Sequence, residues 1–509
     1  MDARRFHGGR HEAAWLWLAT AVFALALGAV MAAHEMWRDE LQAWLLARDS
    51  ATLGELWRNT RYEGHPLLWH LALFVLARLG AGPGAMQLLH WALATAAAAF
   101  LLHRSALPLP VRLAVVFSYL PFFEYGVISR NYAATVVGLL AFARCLQTQR
   151  PLGAAGAAAL AANASPMGMV LAPALALGMW LRQPRRAALP LLIIAVALAA
   201  AVAQCLPPPD YEHARGWHLG WEAERAGYTA RNFAAALLPL PKNHLHFWNS
   251  SALFRTGPHP FRWRDTGDVL ALSTIAGFVA GVAWLVWRSR PARWVWLAGS
   301  GSLLAFAYLK FPGALRHAGF LWVLAVVAVW IAGTDARFDS RPAKLAVAAA
   351  LAVADLGTAV AVRWELGEAF SGARCAALRL EREGLDRLPL VAGCDFSASG
   401  VVAYLPGRTL LFPATGSRGS FVVWNLARLA QDTLHEEALV DAAAALDAGR
   451  GAVLLHNRPL ARLASRAAQC ELVAACEPTI VADEAQWIYV CRDTAPGATP
   501  PTGTGGGGG

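Results

Sequence analysis

Residues 67–79 read LLWHLALFVLARL, and how this stretch is taken decides the topology of everything after it. It is apolar, but it supplies only about two-thirds of the roughly 20 residues that a helix needs to cross a bilayer core. If it does not cross, five basic clusters fall on the same side as the N-terminus. They are His103/Arg104/Arg112, Arg150, Arg182/Arg185/Arg186, Arg288/Arg290/Arg293 and Arg337/Arg341/Lys344. If it crosses, every one of them moves to the opposite face. Cytoplasmic turns carry the excess of Lys and Arg, so the first arrangement is favoured. Residues 67–79 are therefore expected to form a juxtamembrane or re-entrant helix.

Outward from this stretch, the chain reads as a series of apolar spans. The first covers residues 13–33, behind Arg4, Arg5 and Arg10, and is longer than a signal-peptide core, which predicts an uncleaved helix. Further spans are expected near 86–103, 111–124, 132–147, 152–163, 166–181, 187–206, 267–287, 294–309, 315–333 and 344–362, about eleven crossings in all. The composition agrees. Of the 509 residues 57% are hydrophobic and only 15% charged, against roughly 25% charged in an average soluble domain. That excludes an ordinary cytosolic enzyme, a disordered regulator and a small disulfide scaffold. The net charge of +10 sits largely in the short basic turns, so it sets orientation. No nucleotide-binding Gly-rich loop, zinc-spaced Cys/His set or nucleic-acid module is present in the sequence, and no internal repeat.

The expected fold class is thus an α-helical polytopic membrane protein with a small C-terminal extracytoplasmic α/β domain. The N-terminus lies inside and the C-terminus outside the cell inner (plasma) membrane. The membrane domain covers 1–362, with a first outer loop at 34–66, a short one at 124–132 and a long one at 207–266. From residue 363 to 495 the chain becomes more charged. Short strand-like runs (390–392, 409–412, 452–455, 487–491) alternate there with helix-like ones (434–446, 459–468), the pattern of an α/β unit. The Pro/Thr/Gly-rich tail, 496–509, is expected to be disordered. Five of the seven Cys lie in this C-terminal part; Cys470 and Cys476 are the nearest pair, though sequence does not settle the connectivity.

The outer loops hold the residues suited to chemistry. In 34–66, Trp37, Leu41, Trp44, Leu45 and Arg48 share one helical face, which predicts a helix lying on the membrane surface. Thr52 and Glu55 predict the start of a second short helix. Asp39 and Glu40 open the first of these helices, where apolar walls would raise a carboxyl pKa toward the range of a general base. Arg130, in EYGVISRNY, and Arg316 with His317 and Lys310 are outer cations suited to a phosphate or to interfacial anchoring. Lys242, Asn243, His244 and His246 lie among Trp217, Trp221, Phe247 and Trp248, aromatic and polar groups that suit a sugar or lipid headgroup or the ordinary interfacial belt. His244 and His246 have the spacing of metal ligands but lack an evident third, so no cofactor is assigned and a divalent metal is left open.

This pattern resembles the GT-C superfamily of membrane glycosyltransferases, near its protein mannosyltransferase and lipid A aminoarabinose transferase branch. The resemblance rests on Arg38-Asp39-Glu40 after the first span, Glu63-Gly64-His65-Pro66-Leu67 before the short helix, and Ser129-Arg130-Asn131-Tyr132. Leu67 stands where the family has a second Pro. Coverage is best over about the first 180 residues, with Arg316-His317 as a later match. The resemblance implies a polyprenyl-phosphate-linked sugar donor entering from the membrane lipids, an extracytoplasmic acceptor (glycan, lipid or protein hydroxyl) and no nucleic acid. It implies Asp39 as catalytic base in an inverting transfer, with Glu40, His65, Arg130, Tyr132, Arg316 and His317 binding substrate. The alternative classes are a transporter or flippase for a lipid-linked glycan, and a sensor or assembly platform anchored by the spans. A cysteine introduced at position 104 is expected to react with an impermeant thiol reagent only from the cytoplasmic side; labelling from outside would reverse the topology.

Overall fold

The structure, a computed structural model, describes residues 3–492 except 214–215, 258, 338–339, 447–449 and 462–468. The tail 496–509 and most of the helix-like run 459–468 lie outside the described residues. The chain opens with α1 (Ala3–Ala33), α2 (Arg38–Asp49), α3 (Leu53–Thr60), α4 (Leu68–Arg78), α5 (Gly84–Arg104) and α6 (Leu109–Phe117). A π-helical segment, Leu120–Val127, leads to α7 (Tyr132–Gln147), α8 (Pro151–Ala164), α9 (Pro166–Arg182) and α10 (Ala188–Gln204). Then come α11 (Ala223–Leu237), α12 (Thr266–Val286), α13 (Arg290–Leu309), α14 (Leu315–Ala318), α15 (Phe320–Ala332) and α16 (Arg341–Gly367).

Among the described residues, five helical segments are long and apolar enough to cross a membrane: Glu12–Ala33, Gly84–Arg104, Thr266–Val286, Leu315–Asp335 and Arg341–Gly367. Other apolar helices, including α7, α9 and α10, have 17 residues or fewer. Large apolar side chains such as Leu25, Leu88, Val196 and Leu270 are exposed on the outside of the bundle. α4 has 11 residues, about 16 Å of helix, so it is short as expected.

Two outer loops differ from the sequence expectation. The apolar run after Pro121 continues as the π-helical segment to Val127, so Glu124 is a buried helical residue and the short loop shrinks to 128–131. The long loop contains α11, whose residues from Thr229 to Leu237 are buried and whose Arg231 pairs with Asp268 of α12. Its helical period was hidden among charged residues.

Beyond α16 the chain forms α17 (Ala373–Arg382), α18 (Asp395–Ala403), α19 (Leu429–Asp432) and α20 (Glu436–Ala444). They pack on a sheet of β1 (Leu390–Ala392), β2 (Leu410–Phe412), β3 (Ser417–Gly419), β4 (Ala452–His456), β5 (Cys470–Cys476) and β6 (Gln486–Cys491). The strand order is β3-β2-β1-β4-β6-β5, with β1 parallel to both β2 and β4 and the remaining pairs antiparallel. Alternate residues serve opposite faces, as the strand period requires. Leu390 and Ala392 pack toward α17 and α18, and Val391 packs toward α20.

α2 does not lie on a membrane surface. Leu41, Trp44 and Leu45 are fully buried in one cluster with Trp69 and Leu73 of α4 and Ala376, Ala377, Ala398 and Val401 of the C-terminal unit. Each such side chain contributes roughly 1.5–3 kcal/mol. Arg48 donates to the carbonyls of Val402 and Ala403 and completes the attachment. Thr52 caps α3 as expected, accepting from Glu55 N–H at 3.1 Å.

The disulfides are Cys375–Cys476 and Cys470–Cys491, which corrects the pair suggested by nearness in sequence. Cys470 and Cys476 stand at opposite ends of β5, about 20 Å apart at the strand rise, beyond the reach of an S–S bond. Trp44→Ala is expected to lower stability by about 3–5 kcal/mol. A thermal-unfolding midpoint of the purified protein equal to wild type would show that this interface does not hold α2.

Candidate active site

The site forms where α2 begins. Asp39 is at the second position of the helix, and two guanidiniums from elsewhere in the chain converge on it. Arg130 Nη1 lies 2.5 Å and Arg316 Nη2 3.4 Å from its Oδ2. Burial alone would raise the Asp39 carboxyl, but Arg130, then Arg316 and Arg38, hold it down at about 2. The expectation of a raised carboxyl is corrected: the walls are cationic as well as apolar.

Glu40 has the opposite surroundings. It is completely buried and turned away from solvent. Its Oε1 accepts the Ser129 N–H at 2.6 Å, and its Oε2 accepts the Trp37 N–H at 3.1 Å and lies 2.9 Å from His34 Nε2. His34 Nδ1 in turn lies 2.8 Å from Glu365 at the end of α16. Burial lowers the His34 pKa, but Glu40 and Glu365 outweigh it and raise it to about 10. Glu40 therefore ties the start of α2 to the 128–131 turn, and with it Asp39 to Arg130.

Arg316 lies against a pair of touching indoles, 5.5 Å from the Trp37 ring centre and 5.3 Å from that of Trp248. Tyr125 donates to its backbone carbonyl at 2.7 Å. His317 Nδ1 accepts the Ala314 N–H at 2.9 Å, so Nε2 carries the proton and donates to the Tyr132 hydroxyl at 3.0 Å. Tyr132 and His317 thus brace the arginines from behind.

A cavity of about 220 Å³ opens in front of these charges. Arg38, Asp39, His65 and Arg130 line it together with Gln42 and Glu63. Tyr62, Tyr211, His213 and Trp424 form a run of neighbouring rings along it, and Phe396 lies beside Arg38. Gly64, at φ +65, turns the chain between Glu63 and His65 so that both reach the cavity. His65 Nε2 accepts from Arg130 at 3.4 Å, and burial followed by Arg130 lowers its pKa to about 3, which keeps it neutral.

Of the residues expected from sequence, Asp39, His65 and Arg130 line the cavity and Arg316 reaches Asp39. Glu40, Tyr132 and His317 stand behind it. Glu63, Arg38 and Gln42 had no assigned role. Glu63 is a carboxylate inside a Gly-His-Pro turn of a charge-poor chain, and that was the available signal. The aromatic run could not be anticipated, because it assembles from residues far apart in sequence. His244 and His246 are exposed, and His246 Nδ1 bonds the Ile480 carbonyl. Among the described residues no three His, Cys, Asp or Glu side chains gather as metal ligands.

The C-terminal unit closes the site. Arg38 pairs with Asp483 at 2.8 Å and Glu484 at 3.1 Å, with its guanidinium 4.5 Å from the Phe396 ring centre. Gln42 donates to the Val422 carbonyl at 2.7 Å and accepts the Val422 N–H at 3.1 Å. A paired carboxylate–guanidinium group in a recessed cavity can exchange its carboxylate for another oxyanion, and a neighbouring carboxylate can take a proton. No protein-family model matches this chain, and no curated protein matches it.

His34→Ala leaves two buried carboxylates without their cation, so it is expected to cost about 3–5 kcal/mol. In the wild type the His34 contribution is complete below about pH 6.5 and is lost as pH rises through about 10. Melting curves across that range check the sign; a His34→Ala protein with unchanged stability would remove the argument.

Proposed function

We propose that this chain is an integral-membrane glycosyltransferase that moves a sugar from a polyprenyl-phosphate-linked donor to an extracytoplasmic hydroxyl. The chain crosses the inner membrane about eleven times, with α4 as a juxtamembrane helix and the C-terminal unit outside. The apolar outer faces of α1, α5, α10 and α12 support that environment. The shorter helices α7, α8 and α9 cross where the bundle packs around them.

The observation that carries the reading is the pair Arg130 and Arg316 on one carboxylate, in a cavity at the end of apolar helices. A lipid-linked phosphate arriving from the bilayer meets two preplaced guanidiniums there. As the bond between the anomeric carbon and the phosphate oxygen breaks, negative charge grows on that oxygen, and cations fixed beforehand lower the barrier. Attack by the acceptor from the opposite side inverts the anomeric centre. Asp39 is the base that the family pattern implies. It pairs with both guanidiniums, and it gains basicity only as a phosphate displaces it from them. His65, neutral beside Arg130, adds a hydrogen-bonding group without adding charge.

Arg130→Ala and Arg316→Ala are each expected to lower kcat for glycosyl transfer by about 10²–10³-fold, with the folded protein retained. The assay uses purified protein and synthetic polyprenyl-phosphate sugars. Full activity of Arg130→Ala with a donor that the wild type uses would overturn the phosphate assignment.

A further inference from the structure

The guanidiniums on Asp39 account for the donor alone, and the cavity also carries a run of aromatic rings. We propose that the part of the cavity walled by Tyr62, Tyr211, His213 and Trp424 is an acceptor subsite for a saccharide, in which Glu63 takes the proton of the attacking sugar hydroxyl. This rests on the glycosyl-transfer reading, adds to it the class of acceptor, and gives the role of base to Glu63 in place of Asp39.

Three observations carry the assignment. The first is the wall itself. Aromatic rings beside planar polar groups match a sugar ring, which offers apolar C–H faces and a rim of hydroxyls. The second counts against a peptide held by strand pairing. The extended segment bordering this part contains Val422, and the Gln42 amide already takes both its N–H and its C=O. No strand edge is left at that point for an acceptor peptide to pair with.

The third is the placing of Glu63. Its carboxylate accepts from a neutral donor, the Gln42 amide, at 2.8 Å. Among the described residues it makes no ion pair, whereas Asp39 makes two. The charged and titratable groups facing it are Asp39 and Arg38 of α2, Arg130, His65 beside it, and Tyr211 and His213 of the long loop. Burial raises its pKa to about 7, against the Gln42 hydrogen bond and the Arg130 charge. Two carboxylates with such different environments take different roles: the lower one stays ionised to hold cations, and the higher one exchanges protons.

The step balances without a further reactant. The acceptor oxygen bonds to the anomeric carbon as the bond from that carbon to the phosphate oxygen breaks. The hydroxyl proton passes to the Glu63 carboxylate, and the electron pair leaves on the phosphate oxygen beside Arg130 and Arg316.

The test uses the full-length purified protein, a panel of neutral oligosaccharides and Ser/Thr-containing peptides as probes, and synthetic polyprenyl-phosphate sugars as donors. Without donor, oligosaccharides are expected to bind and peptides not, by saturation-transfer NMR. Tyr211→Ala should weaken that binding about tenfold. Infrared difference spectra should show a carboxyl that titrates near neutral pH and is missing in Glu63→Gln. In transfer assays kcat should rise with pH through about 7, and Glu63→Gln should lower it at least about 100-fold with the donor KM unchanged. Peptide binding with no saccharide binding would overturn the acceptor class. Transfer at the wild-type rate by Glu63→Gln would overturn its role and leave the glycosyl-transfer reading standing. Saccharide binding and the carboxyl titration as described, with no transfer from any donor, would instead overturn that reading.

Discussion

Two adjacent carboxylates, Glu40 fully buried and Asp39 partly so, stand at the start of one short helix, and the end of the protein around them is organised to satisfy them. A buried carboxylate needs cations or several hydrogen-bond donors, and one helix cannot supply them. Glu40 recruits the Ser129 and Trp37 amides and His34, which draws in Glu365 from α16. Asp39 recruits Arg130 and Arg316. These demands bring together the ends of α1, α7, α14 and α16, so the cavity in front of Asp39 is a by-product of burying charge.

The helices were the legible part of the chain. A continuous apolar run predicts a helix whatever surrounds it, and α5, α7, α9 and α12 lie within a few residues of their expected positions. α2 shows where this kind of reading stops. The spacing of Leu41, Trp44 and Leu45 announces that one face is covered, but it is the same spacing whether lipid or protein does the covering. Here α17 and α18 do. The residues of the site were partly legible: Asp39, His65 and Arg130 lie in short motifs that stand out in a chain with few charges. Their electrostatics were not, because the group that decides the acidity of Asp39 lies far along the chain.

The C-terminal unit was recognisable as α/β from its alternating short runs, yet nothing local indicated that it belongs to the site. Its parallel β1 and β4 would, in a free-standing domain, offer a ligand crevice at their carboxyl ends. In this chain Arg428 and Gln431 occupy that region, with Arg428 paired to Asp395 and Gln431 donating to the Ala392 carbonyl. The unit instead turns Phe396 and Trp424 toward the residues of the first loop.

The clamp of Arg38 by Asp483 and Glu484 has a consequence for the order in which the protein becomes functional. A chain is made from its N-terminus, so Asp39 and Glu63 are in place long before residues 422–484 exist. Until those residues arrive, Gln42 lacks Val422, Arg38 lacks its two carboxylates, and the cavity is a cleft open on one side. Completion of the site thus waits until synthesis has passed residue 484, and a chain that stops short of it leaves the cavity open.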